Sequence, residues 1–322
     1  MQNEVKKLPY EETGILPVIN IPTVEVALPL AEALMKGGLY ALEVTLRSEC
    51  SLEAIKLIKE TYPEMVIGAG TVLSTETVDA AIAAGVDFIV TPGSDYEVID
   101  YCIEKGILIV PGCVTPSEIQ ASLKRGLTTL KFFPAELNGG IDTINLISGP
   151  FPSAKFIPTG GINYKNLGTY LRSKKILACG GSYMATADQI KNGDFEAITA
   201  ACKKAVDISL GFELAHIGVK CGDEESAKTT AETIADVFRM QPRYMNSAVF
   251  AGTAVEAVKS SGYGQHGHVG FFTNSIPRAI AYFKNKGIAL NEDSIKRNVA
   301  GEITCIYLKD DIGGFAFHVV AR

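Results

Sequence analysis

Short apolar runs rich in β-branched residues alternate, over the first two-thirds of the chain, with stretches whose apolar positions return every three or four residues. The runs are "GILPVIN" (14–20), "ALEVT" (41–45), "MVIGAGTV" (65–72), "FIVTPG" (88–93), "LIVPGC" (108–113), "TTLKFFPA" (128–135), "KFIPTGG" (155–161) and "ILACGGSYM" (176–184). Between them lie amphipathic segments such as "LEAIKLIKETY" (52–62) and "TVDAAIAAG" (77–85). The two periods predict strands and helices in alternation. Ser51 with Glu53, and Ser74 with Glu76, read as helix starts. Repeated βα units imply a parallel sheet. Eight such units in roughly 200 residues fit a closed (β/α)₈ TIM barrel at the short end of its range. An open doubly wound sheet is the alternative. The even count, and no GxGxxG turn after the first strand, favour the barrel.

A helix is expected near 186–207, and "DISLGFE" (207–213) reads as a boundary. The remaining stretch holds a weak internal repeat. "AHIGVK" (215–220) precedes a helical pattern at 224–238, and "GHVGFF" (267–272) precedes another at 276–286. Strand-like segments follow each, ending "TAVEAV" (253–258) and "FAFHVV" (315–320). The expected organisation is an α/β barrel over 1–209 and a smaller α+β domain of two βαβββ-like modules over 210–322.

Composition narrows the function classes. The chain has 322 residues, 47% hydrophobic and 20% charged, which suits a core-forming protein. A net charge of −6, without a dense Lys/Arg stripe, argues against nucleic acid and against an anionic membrane surface as partners. The polar "MQNEVKKLPYEETG" start has no apolar signal region, and no apolar run is long enough to span a bilayer. The seven cysteines lack CxxC spacing, and several lie inside apolar strands, as reduced thiols of a cytoplasmic protein would.

The residue that breaks the pattern is Lys131, inside the apolar run "TTLKFFPAE". A lysine there is usually a snorkelling edge residue. In this fold, however, active sites sit where strands end, and Lys131 is near such an end. Strand alternation puts Thr129, Lys131 and Phe133 on one face, and Glu43, Thr45 and, if the second strand runs on, Arg47 on another. Burial disfavours the charged amine, and a neutral amine attacks a carbonyl to form a Schiff base. Arginine binds a carboxylate through paired hydrogen bonds, and glutamate can move protons during carbon–carbon cleavage. The three together suggest imine chemistry on an α-keto acid. The seventh and eighth runs end in "PTGGI" and "CGGSYM". Backbone amides at Gly160, Gly161, Gly180 and Gly181, with the Ser182 hydroxyl, are the expected phosphate ligands.

Seven motifs in order, "LEVTLRSE", "GAGTVL", "TPG", "KFFPAE", "GPF", "PTGGI" and "GGSYM", resemble the class I 2-keto-3-deoxy-6-phosphogluconate (KDPG) aldolases, a family that includes 4-hydroxy-2-oxoglutarate (KHG) aldolases. The resemblance spans roughly residues 10–207. It implies an aldehyde-lyase releasing pyruvate from a keto-deoxy sugar acid phosphate, or from 4-hydroxy-2-oxoglutarate, without a cofactor. It implies Lys131 as Schiff-base residue, Glu43 for proton transfer and Arg47 for the substrate carboxylate. Thr71, Pro92 and Phe133 would line the pocket, and Thr159 and the double glycines would bind substrate. It also implies a homotrimer. Two positions depart from the family. Asn20, followed by Ile21 and Pro22, stands where many relatives have arginine, and Tyr183 replaces a tryptophan.

All four histidines lie in the last third. His216 and His268 each precede a hydrophobic–Gly–hydrophobic triplet on the first strand of a module, and Glu256 and His318 sit in the last strands. This arrangement resembles the vicinal oxygen chelate superfamily, which includes glyoxalase I. The resemblance implies His216, Glu256, His268 and His318 as ligands of one divalent metal; the usual last ligand is a glutamate. Mixed N and O donors suit Zn, Ni, Fe or Mn. A register slip of one residue would put Phe317 at the last position. His266, in a Gly-rich loop, reads as a bystander. A metal-dependent isomerase or lyase on a related sugar acid, and a non-catalytic binding or assembly module, both remain open for this domain.

Overall fold

The apolar runs of the first half form eight short parallel strands: β1 (Ile15–Ile19), β2 (Ala41–Thr45), β3 (Val66–Gly70), β4 (Phe88–Val90), β5 (Leu108–Val110), β6 (Thr129–Phe132), β7 (Lys155–Pro158) and β8 (Cys179–Gly181). The computed structural model describes residues 9–260 and 262–322. Most of the N-terminal polar stretch, residues 1–8, lies outside them. Helices follow the strands, so each strand is covered and reads as a continuous apolar run; every residue of β2 is buried. The strands hydrogen-bond in the order β5-β4-β3-β2-β1-β8, with β6 paired to β7. Bridges Gly112–Lys131 and Thr159–Gly180 link these two sets, so the ring closes as a (β/α)₈ barrel.

Inside the ring, Tyr10, Leu16, Ala41, Phe88, Val90, Val110, Ile157 and Ala178 form a buried cluster. Burying a side chain the size of Leu16 or Phe88 contributes about 1.5–3 kcal/mol. The Phe88 ring fits because Gly68 faces it; a Cβ there would stand 2.2 Å from a ring carbon.

Helix boundaries follow local chemistry. Ser74 caps its helix by accepting from the Thr77 N–H. Ser51 does not cap: it is the first helical residue, and its hydroxyl donates to the Thr45 carbonyl at 3.1 Å, tying the helix back to β2. The expected helix at 186–207 is two, Ala187–Asn192 and Phe195–Leu210, separated by Gly193 in the left-handed region. "DISL" is therefore the end of a helix rather than a linker.

The chain divides into two units, Met1–Ser209 and Leu210–Arg322. The second contains β9 (Glu213–Lys220), a helix (Glu224–Val237), β10 (Pro242–Tyr244), β11 (Ala248–Ala251) and β12 (Val255–Val258). The same series then recurs as β13 (His268–Thr273), a helix (Ile276–Asn285), β14 (Leu290–Arg297), β15 (Ile303–Leu308) and β16 (Ala316–Ala321). All eight strands form one sheet ordered β10-β11-β12-β9-β13-β16-β15-β14. β9 and β13 pair antiparallel at its centre, while β9 pairs parallel with β12 and β13 with β16. The order reads alike outward from the centre, so each βαβββ module supplies one half. Small residues let the first helix sit close: Ala227 and Ala231 pack on Val249 and Ala257.

Candidate functional site

Lys131 and Glu43 meet inside the barrel. The lysine Nζ donates to Glu43 Oε1 at 3.0 Å, and the two side chains are 8% and 2% exposed. Alternation along β2 and β6 turns both inward. Gly70, on the neighbouring β3, makes the space: a Cβ there would lie 2.3 Å from Glu43 Oε1. The Phe133 ring centroid is 5.5 Å from the ammonium. Phe133 lies one residue beyond β6, so the turn, not the strand pleat, brings it there.

Arg47 also lies past its strand. β2 ends at Thr45, and the Arg47 N–H closes a turn onto the Thr45 carbonyl at 2.8 Å. Its Nε donates to Thr71 Oγ1 at 3.3 Å. Thr71 holds a φ of 62°, a left-handed conformation that costs a non-glycine residue energy. A cavity of about 530 Å³ opens here, lined by Asn20, Thr45, Arg47, Phe133, Thr159, Gly160, Gly161, Gly181, Ser182 and Lys191 among others. Asn20 is anchored, its Oδ1 accepting from the Ser48 hydroxyl at 2.9 Å.

Five expected site residues are not among those lining the cavity: Lys131 and Glu43, buried next to the lining residue Phe133, and three expected pocket residues. Thr71 reaches it only through Arg47. Pro92 sits past β4 with its carbonyl against Gly112, where a Cβ would be 2.2 Å away. Gly180 lies beneath Thr159, whose hydroxyl would collide with a Cβ at 2.2 Å.

The "PAE" that follows Phe133 shapes the double-glycine loop. The Ala135 N–H donates to the Thr159 carbonyl at 2.8 Å, and the Glu136 N–H to Gly160 at 3.1 Å. Glu136 in turn accepts from the Tyr170 hydroxyl. Burial, then the Glu136 carboxylate, pushes the Tyr170 phenol up, so it stays a donor. Gly160 and Gly161 have φ of 94° and 84°, which side-chain-bearing residues rarely adopt. Thr159 lines the cavity, but its hydroxyl is buried against Gly180 and has no hydrogen-bond partner among the described residues.

Residues 7–201 match the KDPG and KHG aldolase family. The chain belongs to that family. It is an aldehyde-lyase, a class I pyruvate aldolase. The 2-dehydro-3-deoxy-phosphogluconate aldolase of Dickeya dadantii is 43% identical over 192 residues, covering 60% of this chain and 90% of the relative. That of Treponema pallidum is 40% identical over 198 residues, covering 62% and 94%. The KHG/KDPG aldolase of Escherichia coli K12 is 41% identical over 193 residues, covering 60% and 91%. Among solved structures, a KDPG aldolase from Legionella pneumophila with pyruvate captured as a covalent carbinolamine aligns with TM-score 0.60 and 40% identity, over 62% of this chain and 98% of that one. The second unit lies outside the residues that match the family.

In that unit a second group of side chains converges. His216 Nε2 lies 3.1 Å from His268 Nε2, 3.2 Å from His318 Nε2 and 3.2 Å from Glu256 Oε2. Glu256 Oε2 is 3.0 Å from His268 Nε2. Gly218 and Gly270, the middle residues of the two triplets, leave the rings room. A Cβ on Gly218 would be 2.1 Å from the His268 ring, and one on Gly270 2.6 Å from both His216 and His318. Register pairs His318 with Gly270 and Phe317 with Val269, so the histidine side chain faces the cluster. His266 stands apart beside Phe315.

Hydrogen bonding alone cannot satisfy this cluster. A neutral imidazole Nε2 offers one proton or one lone pair, and His216 Nε2 has three polar neighbours. His216, His268 and His318 each bring a ligand atom within 4.8 Å of the other two, a spacing that could hold a metal ion, and Glu256 touches His216 and His268. Burial, with the nearby His216 and His268, lowers the His318 pKa to about 3, keeping it neutral. For Glu256, burial pulls upward but hydrogen bonds from His216 and His268 outweigh it and hold the carboxyl at about 2. The cluster also has a backing that the pattern of ligands did not reveal. Cys305 Sγ lies 3.1 Å from His318 Nδ1, and Tyr307 stacks on that ring at 4.4 Å.

Proposed function

We propose that the barrel cleaves 2-keto-3-deoxy-6-phosphogluconate to pyruvate and glyceraldehyde 3-phosphate through an imine on Lys131, and that it also accepts 4-hydroxy-2-oxoglutarate. The observation that carries this reading is the buried Lys131–Glu43 pair at 3.0 Å beside a cavity carrying Arg47 and the glycine loops. Lys131 Nζ adds to the C2 carbonyl, and loss of water leaves an iminium. Glu43 takes the C4 hydroxyl proton, the C3–C4 bond breaks, and its electrons enter the iminium as an enamine. Glu43 returns the proton to C3, and hydrolysis frees pyruvate and the amine. Arg47 holds the C1 carboxylate; Thr159, Gly160, Gly161 and Ser182 receive the far end. Incubation with pyruvate and borohydride should add a reduced pyruvyl group to Lys131, seen by peptide mass analysis. Folded protein that takes up no adduct at Lys131 would refute the mechanism. The implied homotrimer belongs to the same reading, and sedimentation of the full chain tests it.

The second unit supports a separate reading, carried by three converging histidines with Glu256 against two of them. We infer a divalent metal site of the vicinal oxygen chelate kind, held by His216, Glu256, His268 and His318. Holding an ion, these residues would give the site Lewis acidity toward substrate oxygens. Full-length protein should carry close to one equivalent of a transition metal by elemental analysis, and the His216→Ala, His268→Ala double variant almost none. Equal metal content in the two proteins would overturn the assignment.

A further inference from the structure

We propose that Lys191 sets the preference of the aldolase for a substrate whose far end is a phosphate. This inference rests on the phosphorylated-substrate reading above. Arg47 and Lys191 are the charged side chains among the cavity-lining residues, and no carboxylate lines it. They belong to different elements: Arg47 follows β2 with Thr45, whereas Lys191 lies on the helix Ala187–Asn192, which follows the double glycine of β8. A linear substrate with an anion at each end suits a wall with two separate cations.

The helix places Lys191 on the side that lines the cavity. Ala187, Ile190 and Lys191 all line the cavity, and their i, i+3, i+4 spacing puts them on one face. Thr186 and Gln189 close a capping box at its start, and Gly193 in the left-handed region ends it. Ile190 is buried and acts as the anchor. No hydrogen bond or ion pair with another described residue occupies the Lys191 ammonium. Gly160, Gly161, Gly181 and Ser182, which line the same cavity, offer neutral groups only. They can accommodate a phosphate but supply no countercharge. Lys191 supplies it, as a flexible point charge rather than a fork.

The test compares 2-keto-3-deoxy-6-phosphogluconate with unphosphorylated 2-keto-3-deoxygluconate on the full chain. Lys191→Ala should raise KM for the phosphorylated substrate roughly 10-fold, the worth of one partly solvated charge-assisted contact. Lys191→Glu should raise it further, and Lys191→Arg should restore it. In all three variants kcat, kcat/KM for the unphosphorylated substrate and borohydride trapping of pyruvate on Lys131 should hold. An unchanged KM in Lys191→Glu overturns the proposal. So does an equal loss on both substrates, the mark of a structural role. If the unaltered enzyme traps pyruvate yet shows no preference for the phosphorylated substrate, the substrate reading itself fails, and this inference with it.

Discussion

The two units bury polar groups in opposite ways. In the barrel, Lys131 and Glu43 form a pair, each the other's partner at 3.0 Å. In the C-terminal sheet, three imidazoles and one carboxylate crowd together, and His216 Nε2 has more neighbours than one nitrogen can satisfy. The first arrangement is complete as it stands and changes when substrate consumes the amine. The second would be completed by the cation proposed for it. Both are made possible by missing Cβ atoms: Gly70 beside Glu43, and Gly218 and Gly270 beside the histidines.

The sharpest way to separate them is to neutralise one carboxylate in each. Glu43→Gln should lower kcat by about 10²- to 10⁴-fold, the usual contribution of a positioned acid–base group. It leaves Lys131 without its counter-ion, and breaking a buried pair typically costs about 3–5 kcal/mol, so urea denaturation should show a marked loss in the barrel. Metal content should not change. Glu256→Gln should do the reverse: aldolase kcat holds, while bound metal falls. Loss of aldol cleavage in Glu256→Gln would show that the two sites are not independent.

Filling the glycine gaps is a gentler version of the same comparison. The atoms that a new methyl would meet at Gly70 belong to the end of the Glu43 side chain, which can swing aside. Gly70→Ala should therefore cost little stability but displace the carboxylate from Lys131, with kcat reduced about 100-fold. Gly218→Ala pushes on the His268 ring and should weaken metal binding about 10- to 100-fold, as changes behind a ligand do. Chelator competition gives the second number and steady-state kinetics the first. Full activity in Gly70→Ala would mean that the Glu43 position is not what the chemistry depends on.

Much of this architecture was legible along the chain because its signals are local. Period-two and period-3.6 patterns mark the β1–β8 units, and alternation turns Glu43 and Lys131 inward. The duplicated triplets at 217–219 and 269–271 announce two like modules. What was not legible depends on contacts distant in sequence or on turns. Phe133 and Arg47 lie past their strands, so pleat arguments do not reach them. Ser51 looked like a cap because its competitor, the Thr45 carbonyl, is visible only in three dimensions. Glu136 steadying the Thr159–Gly161 loop, and Cys305 behind His318, are cross-strand meetings that no spacing rule encodes. Lys191 reads as an ordinary solvated helix residue until the cavity beside it is seen.

Tyr183 offers a third kind of buried polar group, and the smallest expected effect. Its ring packs edge-on to Tyr164 at 5.0 Å and covers the Cα of Gly181, while its hydroxyl is buried with no partner among the described residues. Burial, aided by the neighbouring Cys179, pushes the phenol well up, so it remains a donor without an acceptor. Such a group costs about 1–3 kcal/mol, unlike Lys131, which is paired. Tyr183→Phe keeps the ring over Gly181 and removes the orphan atom. The urea midpoint of the barrel should therefore rise by an amount equivalent to about 1 kcal/mol, with kcat and KM unchanged. A drop in stability instead would reveal that the hydroxyl holds an internal water, and would move Tyr183 into the class of completed groups to which Lys131 and Glu43 belong.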